Sequence, residues 1–198
     1  MSVLKADLAR QFIQSRSFKY NETKQFTLSS GELSPFYVDC KGLMGSPEAR
    51  QLVAALAYEN IIESGQEFDC IGGLEIGSIA IATSLSDYGF VKKPMKKWNT
   101  FVVRKMPKGH GLRNKIEGIA KPSEKALIVD DVLTTGGSVL QAVRSAREAG
   151  IEVTHALVIV NRDEKNGRQN LLDEGVELIS LLSIHDLLDA SQKAFTFA

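Results

Sequence analysis

The chain has 198 residues, with 24 basic and 24 acidic side chains and a hydrophobic content of 43%. That length suits a single domain with at most a small appended lobe, and the apolar content is ordinary for a globular core. A formal net charge of zero argues against a broad nucleic-acid or membrane-binding surface, and no run approaches the ~20 apolar residues of a membrane span.

The opening stretch "MSVLKADLARQFIQ" spaces its apolar residues at helical intervals, so a helix is expected from Val3 to about Ser15. It has no long apolar core followed by small residues, and no signal peptide is expected. "KQFTLSSGELSPFYVDC" reads as two short strands around a loop rich in Ser, Gly and Pro. "SPEARQLVAALAYENIIESG" predicts a helix with Ser46 as N-cap, Pro47 in the first turn, Gly65 closing it, and Leu52, Val53, Leu56 and Ile61 on its buried stripe.

From there strands and helices alternate. "FDCIGG", "NTFVVRK", "KALIVDD" and "IEVTHALVIV" read as strands, "SIAIATSLSDYG" and "SVLQAVRSAREAG" as helices, and the segment from Lys105 to about Glu117 as a polar loop. A last pair, "VELISLL" and "SIHDLLDA", completes the chain. Such alternation predicts an α/β fold with a mainly parallel sheet of about five strands and helices on both faces. The division expected within one domain is a hood with its flanking helix over residues 1–66 and an α/β core over 67–198. Cys40 and Cys70 have neither metal-ligand spacing nor a disulfide framework, and are expected to be reduced, buried thiols of a cytoplasmic protein.

The most informative stretch is "ALIVDDVLTTGGSV", Ala126 to Val139. Asp130 and Asp131 fall at the carboxyl end of a predicted strand, where open parallel sheets bind ligands. Thr134, Thr135, Gly136, Gly137 and Ser138 follow and open a helix. Small residues let backbone N–H groups gather round an anion, and the helix dipole favours it. The acids repel a phosphate but suit sugar hydroxyls, a Mg²⁺ hydration shell or a developing positive charge. The pattern therefore reads as a phosphate cup beside a carboxylate pair, suited to a ribose 5-phosphate. It lacks the Gly-Lys-Ser/Thr ending of a Walker A loop and the G-x-G-x-x-G spacing of a dinucleotide fingerprint.

"LIVDDVLTTGGS" resembles the phosphoribosyl pyrophosphate signature of type I phosphoribosyltransferases. Three further stretches resemble orotate phosphoribosyltransferases in colinear order: "FVVRKMPKGHGLRNKIEG" their mobile catalytic loop, "FTLSSGELSPFYVDCKGL" their N-terminal orotate-binding segment, and "IVNRDEKNG" the strand end whose arginine meets orotate. The resemblance implies transfer of a phosphoribosyl group to orotate, with Mg²⁺ as cofactor held by substrate and water near Asp130 and Asp131, and with no direct protein ligand. It implies a homodimer in which the loop reaches the neighbouring subunit's site. Arg104, Lys108 and His110 become catalytic candidates with Asp131. Lys105, Asp130, the cup residues, Ser29, Phe36, Tyr37 and Arg162 become substrate-binding candidates, with Arg162 on the orotate carboxylate, Thr134 also touching the base, and Phe36 and Tyr37 covering it.

The residue types suit that chemistry. Breaking the anomeric C–O bond leaves an oxocarbenium-like ring and a pyrophosphate of growing negative charge, so cations are needed on the leaving group and acids near the ribose. Gly109 and Gly111 flank His110 and allow its loop to move. An arginine forks onto a carboxylate better than a lysine does.

Two departures from the family pattern stand out. Ser29 occupies a position where many members have Lys. Ile76 and Gly77 replace a Tyr-Lys pair at the pyrophosphate loop, leaving more of that contact to the amides of Gly73–Ser78. Two alternatives stay open: a phosphoribosyltransferase for a different base, favoured by those departures, and a non-catalytic nucleotide-sensing regulator, opposed by the cationic loop. His155 and His185 are expected to be structural.

Overall fold

A computed structural model describes residues 2–23, 26–27, 33–93, 97–106 and 115–196. The chain opens on α1 (Val3–Gln14), with Ser2 accepting from the Lys5 amide as N-cap. Four short strands follow: β1 (Phe18–Tyr20), β2 (Phe26–Thr27), β3 (Leu33–Ser34) and β4 (Phe36–Val38). They pair as two antiparallel ribbons, β1 with β4 and β2 with β3. A short helix α2 (Cys40–Leu43) is capped by Asp39, and α3 (Pro47–Ser64) starts at Ser46 and ends on Gly65 in the left-handed conformation, as its cap residues predict.

The remaining elements are β5 (Cys70–Leu74), α4 (Gly77–Lys92), β6 (Asn99–Val103), β7 (Ile116–Gly118), β8 (Lys125–Leu133), α5 (Gly137–Glu148), β9 (Glu152–Asn161), α6 (Gly167–Asp173), β10 (Glu177–Ser183) and α7 (Ile184–Thr196). One six-stranded sheet has the order β10-β9-β8-β5-β6-β7, parallel throughout except for β7 at its edge.

Side-chain alternation along the central strands feeds two apolar layers. Leu127, Val129, Leu157, Ile159 and Leu181 join residues of α1, α3, α4 and α7 on one face. Ala126, Ile128, Ala156 and Val158 meet α5 and Leu171 of α6 on the other. Helix α1 is tied to the opposite end of the chain by Lys5, whose Nζ lies 2.9 Å from Asp186 Oδ2 on α7. Phe12 and Leu8 of α1 and Leu187 of α7 share one fully buried cluster. Within α3, Val53, Leu56 and Ile61 are buried and Leu52 is partly so, but Ala49, Ala54, Ala55 and Ala57 are buried too. Burial is wider than a stripe because the helix is packed between α1 and α4.

Four features differ from expectation. The N-terminal segment holds four short strands and the helix α2 where two short strands are expected. The sheet has a sixth strand: β7 closes its edge inside what reads as a polar loop, and three residues, "IEG", are too few to show a two-residue period. Strand β8 runs on through Val132 and Leu133, so the two acids lie within it and not at its tip. Helix α6, seven residues long, follows the Arg162 strand end where no helix was read. Both cysteines are free and buried, and among the described residues no helix is long and apolar enough to cross a membrane.

Candidate active site

A cleft of about 560 Å³ opens at the carboxyl ends of the central strands. Its walls come from three places: Thr27 and Tyr37 to Lys41 from the N-terminal segment, Lys105 beyond β6, and Asp130 to Val139 with Arg162 from the core.

The acid pair sits at its centre. Asp130 is buried, at 7% exposure. Its Oδ1 accepts from the Asp131 amide at 2.9 Å, and Asp131 Oδ1 accepts from the Val132 amide at 2.8 Å. Burial first, and the neighbouring Asp131 charge second, push the Asp130 carboxyl up to about 7. Lys41 Nζ stands 4.0 Å from Asp131 Oδ2. Behind the pair, the buried Cys40 Sγ lies 3.8 Å from the Asp131 carbonyl oxygen. Burial, then the Asp131 charge, raises that thiol well above its ordinary value, so it is a neutral backing group.

The cup residues Thr134, Thr135, Gly136, Gly137 and Ser138 all line the cleft. Gly136 has φ +84° and serves as N-cap of α5 without a side-chain cap. A Cβ there would lie 3.4 Å from the Gly167 carbonyl oxygen and from Leu171 of α6. The left-handed conformation, more than room for an anion, is what demands glycine at this position. Helix α6 holds the cup from behind: Asn170 Nδ2 donates to the Thr135 carbonyl at 2.9 Å.

Helix α4 begins beside the acid pair, also without a side-chain cap, on Ile76. By contrast α1, α2 and α3 open on Ser2, Asp39 and Ser46, which fill their first amides. At α5 the Gly137 amide makes only a long 3.3 Å contact to Thr135 Oγ1, and α4 has no side-chain cap, so both helix starts can offer amides to an incoming anion. Gly77 lets α4 approach the acids closely: a Cβ on it would lie 2.9 Å from Asp130 Oδ1 and 3.1 Å from Asp131 Cγ. The Glu75 carboxylate accepts from the Lys105 amide at 2.8 Å and so fixes the entry of the Lys105 segment at the cleft.

Arg162 is 4% exposed, a guanidinium almost wholly withdrawn from water. Its Nη2 donates to Ser34 Oγ at 2.6 Å and to Glu164 Oε1 at 3.3 Å. Its Nε is 3.1 Å from Glu164 Oε2 but is poorly aligned for a hydrogen bond, so that contact is an ion pair. Glu164, unforeseen in the sequence, partly balances the buried charge, and β3 supplies the other partner.

Not every expected residue meets here. Phe36 does not line the cleft. Its ring stacks on Tyr20 at 5.3 Å and Phe18 at 6.4 Å and packs on the core, because alternation along β4 sends Phe36 and Tyr37 to opposite faces. Only Tyr37 reaches the cleft. Arg104 does not line it either: its Nη1 pairs with Glu117 Oε1 of β7 at 3.0 Å. His155 is a buried neighbour of Phe68, as a structural histidine would be. Ser29, Lys108 and His110 lie outside the described residues.

Comparison with known proteins gives this geometry its family. The model of the phosphoribosyl transferase domain matches residues 43–181. An orotate phosphoribosyltransferase of Aquifex aeolicus is 39% identical over 189 residues, spanning 95% of this chain and 100% of that protein. The chain belongs to the orotate phosphoribosyltransferases. A second relative of that name, from Pyrococcus furiosus, is 37% identical over 188 residues, 95% of this chain and 97% of its own. The Mycobacterium tuberculosis orotate phosphoribosyltransferase solved in complex with 5-phospho-α-D-ribosyl 1-diphosphate superposes with a TM-score of 0.71 at 28% identity, covering 93% of this chain and 98% of that one. As an orotate phosphoribosyltransferase, the chain has the α/β architecture with a mainly parallel sheet that the alternating elements predict.

Proposed function

We propose that the chain transfers the 5-phosphoribosyl group of phosphoribosyl pyrophosphate to N1 of orotate, giving orotidine 5′-phosphate and pyrophosphate in pyrimidine biosynthesis. The observation that carries the base assignment is Arg162, a guanidinium 4% exposed on the wall of the same cleft that holds the acid pair and the uncapped start of α5. A buried arginine fork suits a planar carboxylate, which orotate has and uracil lacks.

The roles follow from position. Amides of Thr135–Ser138 take the 5-phosphate at the start of α5. Asp130 and Asp131 accept from the ribose hydroxyls and face the positive charge that grows as the anomeric C–O bond breaks. The amides at the start of α4 meet the pyrophosphate, which leaves with the bonding electrons while orotate N1 bonds to the anomeric carbon and its proton passes to water. Tyr37 covers the base. The acids suit Mg²⁺ through its water shell, and Mg²⁺ bound together with the substrate would supply charge neutralisation for the leaving group.

Lys108 and His110, from the loop beyond Lys105, complete the cation set in a neighbouring subunit's site, with Arg104 at the root of that loop. The family resemblance is what supports a homodimer with shared sites; within this chain Arg104 pairs with Glu117 of β7 at the sheet edge. Two free buried thiols suit a cytoplasmic protein.

Steady-state kinetics with orotate, uracil, adenine and hypoxanthine test the base. A charge-assisted contact from the Arg162 fork to the orotate carboxylate is worth roughly 1.5–3 kcal/mol, and uracil offers no such partner, so uracil should be turned over at least ~10-fold less efficiently than orotate. Arg162→Ala should impair orotate use far more than phosphoribosyl pyrophosphate binding. Efficient use of a base without a carboxylate, with orotate inert, would overturn the assignment.

A further inference from the structure

Among the described residues, three basic side chains line the cleft: Lys41, Lys105 and Arg162. Arg162 is already engaged by Ser34 and Glu164. The loop from Gly73 to Ser78, "GLEIGS", meets the acid pair through Gly77 and contains no cation. Its one charged residue, Glu75, is negative. A pyrophosphate at the start of α4 would thus find amides, an acidic neighbourhood and little compensating charge from that loop.

Lys41 stands where that charge is needed. It is held in the first turn of α2, which Asp39 caps through the Gly42 amide at 2.8 Å and which touches β8 through Cys40 Sγ and the Asp131 carbonyl oxygen. Lys41 and Gly77 converge on the same carboxylate: the ammonium is 4.0 Å from Asp131 Oδ2, and a Cβ on Gly77 would be 3.1 Å from Asp131 Cγ. The lysine side chain is 71% exposed, so its pairing with Asp131 is weak and easily exchanged. A long, mobile ammonium beside an acid contributes little to the fold but can turn onto an arriving anion.

We infer that Lys41, 4.0 Å from Asp131 at the approach of Gly77, is a substrate-binding residue that takes the pyrophosphate of phosphoribosyl pyrophosphate and the pyrophosphate released, supplying from α2 the positive charge that the Gly73–Ser78 loop lacks. The inference rests on the proposed phosphoribosyl transfer and names a residue of that same site. It assigns the base to Arg162 and the leaving group to Lys41, two cations carried by different elements.

Calorimetric titration of inorganic pyrophosphate with Mg²⁺, and separately of ribose 5-phosphate, into wild type, Lys41→Ala and Lys41→Arg tests it. One charge-assisted contact corresponds to about tenfold or more in affinity. Lys41→Ala should lose that factor for pyrophosphate and show the same rise in KM for phosphoribosyl pyrophosphate. Its affinity for ribose 5-phosphate and its KM for orotate should stay close to wild type, and Lys41→Arg should recover most of the loss. Thermal unfolding at the wild-type midpoint, expected for so exposed a side chain, keeps a folding defect separate. Unchanged pyrophosphate affinity in Lys41→Ala would overturn the inference. So would an equal loss for ribose 5-phosphate, which would make Lys41 only a positioning residue for Asp131. Wild type that forms no orotidine 5′-phosphate would instead overturn the proposed reaction, so the two failures are distinct.

Discussion

Asp130 shows how far a single side chain is from its solution behaviour. Its carboxyl, ordinarily near 3.8, is pushed up to about 7 by burial and then by Asp131. Protonation therefore favours the folded chain. The stabilising effect is complete below about pH 4 and is lost as pH rises through about 7, where the folded carboxyl ionises next to a second acid. Asp130→Asn removes that titration. In metal-free buffer the variant should melt above wild type at pH 8, and the gap should close toward pH 4. A gap of the same size at both pH values would contradict the burial argument. Strongly shifted acids of this kind cluster at functional sites. Asp130, Asp131 and the cup residues could be placed at the cleft from the sequence because local spacing carries them, two acids leading into a small-residue turn, whereas Arg162 is reached only through the family resemblance. Lys41, Glu164 and Asn170 could not be placed. Lys41 reaches the cleft because α2 packs on β8, Asn170 supports it through the Thr135 carbonyl and Glu164 only through Arg162, and "DCKG" alone looks like any solvated turn.

At the scale of elements, hydrophobic period and cap residues placed α1, α3, α4, α5 and the parallel strands, because long periodic segments and Ser-Pro or Gly boundaries are strong signals. The elements not read, β1, α2, β7 and α6, are short and owe their shape to neighbours: β1 pairs with β4, α2 touches β8, β7 pairs antiparallel with β6, and α6 packs Leu171 against the face beneath α5. Phe36 lies away from the cleft for a different reason, since β4 alternates and only one of two adjacent aromatics can face it. The cup depends on these elements jointly. Gly136 holds φ +84° against α6, and a β-branched side chain there is strained on the order of 1–2 kcal/mol before any clash with Leu171. Gly136→Val should therefore turn the first amides of α5 away and weaken phosphoribosyl pyrophosphate and orotidine 5′-phosphate together, both of which carry the 5-phosphate. Inorganic pyrophosphate, which does not use the cup, should bind as before. Calorimetry with the three ligands checks this, and unchanged affinity for both phosphoribosyl compounds would count against the cup.

For the whole molecule, the proposed sharing of active sites gives a test of its own. Lys108→Ala and Asp131→Asn should each be nearly inactive, by ~100-fold or more if each removes one preorganised charge from the transition state. When the two are mixed and allowed to exchange subunits, one of the two sites in a heterodimer regains both intact groups, and activity should partly return. No recovery after demonstrated exchange would place the loop in its own subunit's cleft. The central claim, that this cleft joins orotate to the phosphoribosyl group, is tested most directly by product analysis. Wild type is incubated with phosphoribosyl pyrophosphate, Mg²⁺ and orotate, and the products are resolved by mass. Orotidine 5′-phosphate and pyrophosphate should form in equal amounts, and Asp131→Asn should largely abolish both. Orotate recovered unchanged beside intact phosphoribosyl pyrophosphate, from protein shown to be folded, would contradict the account.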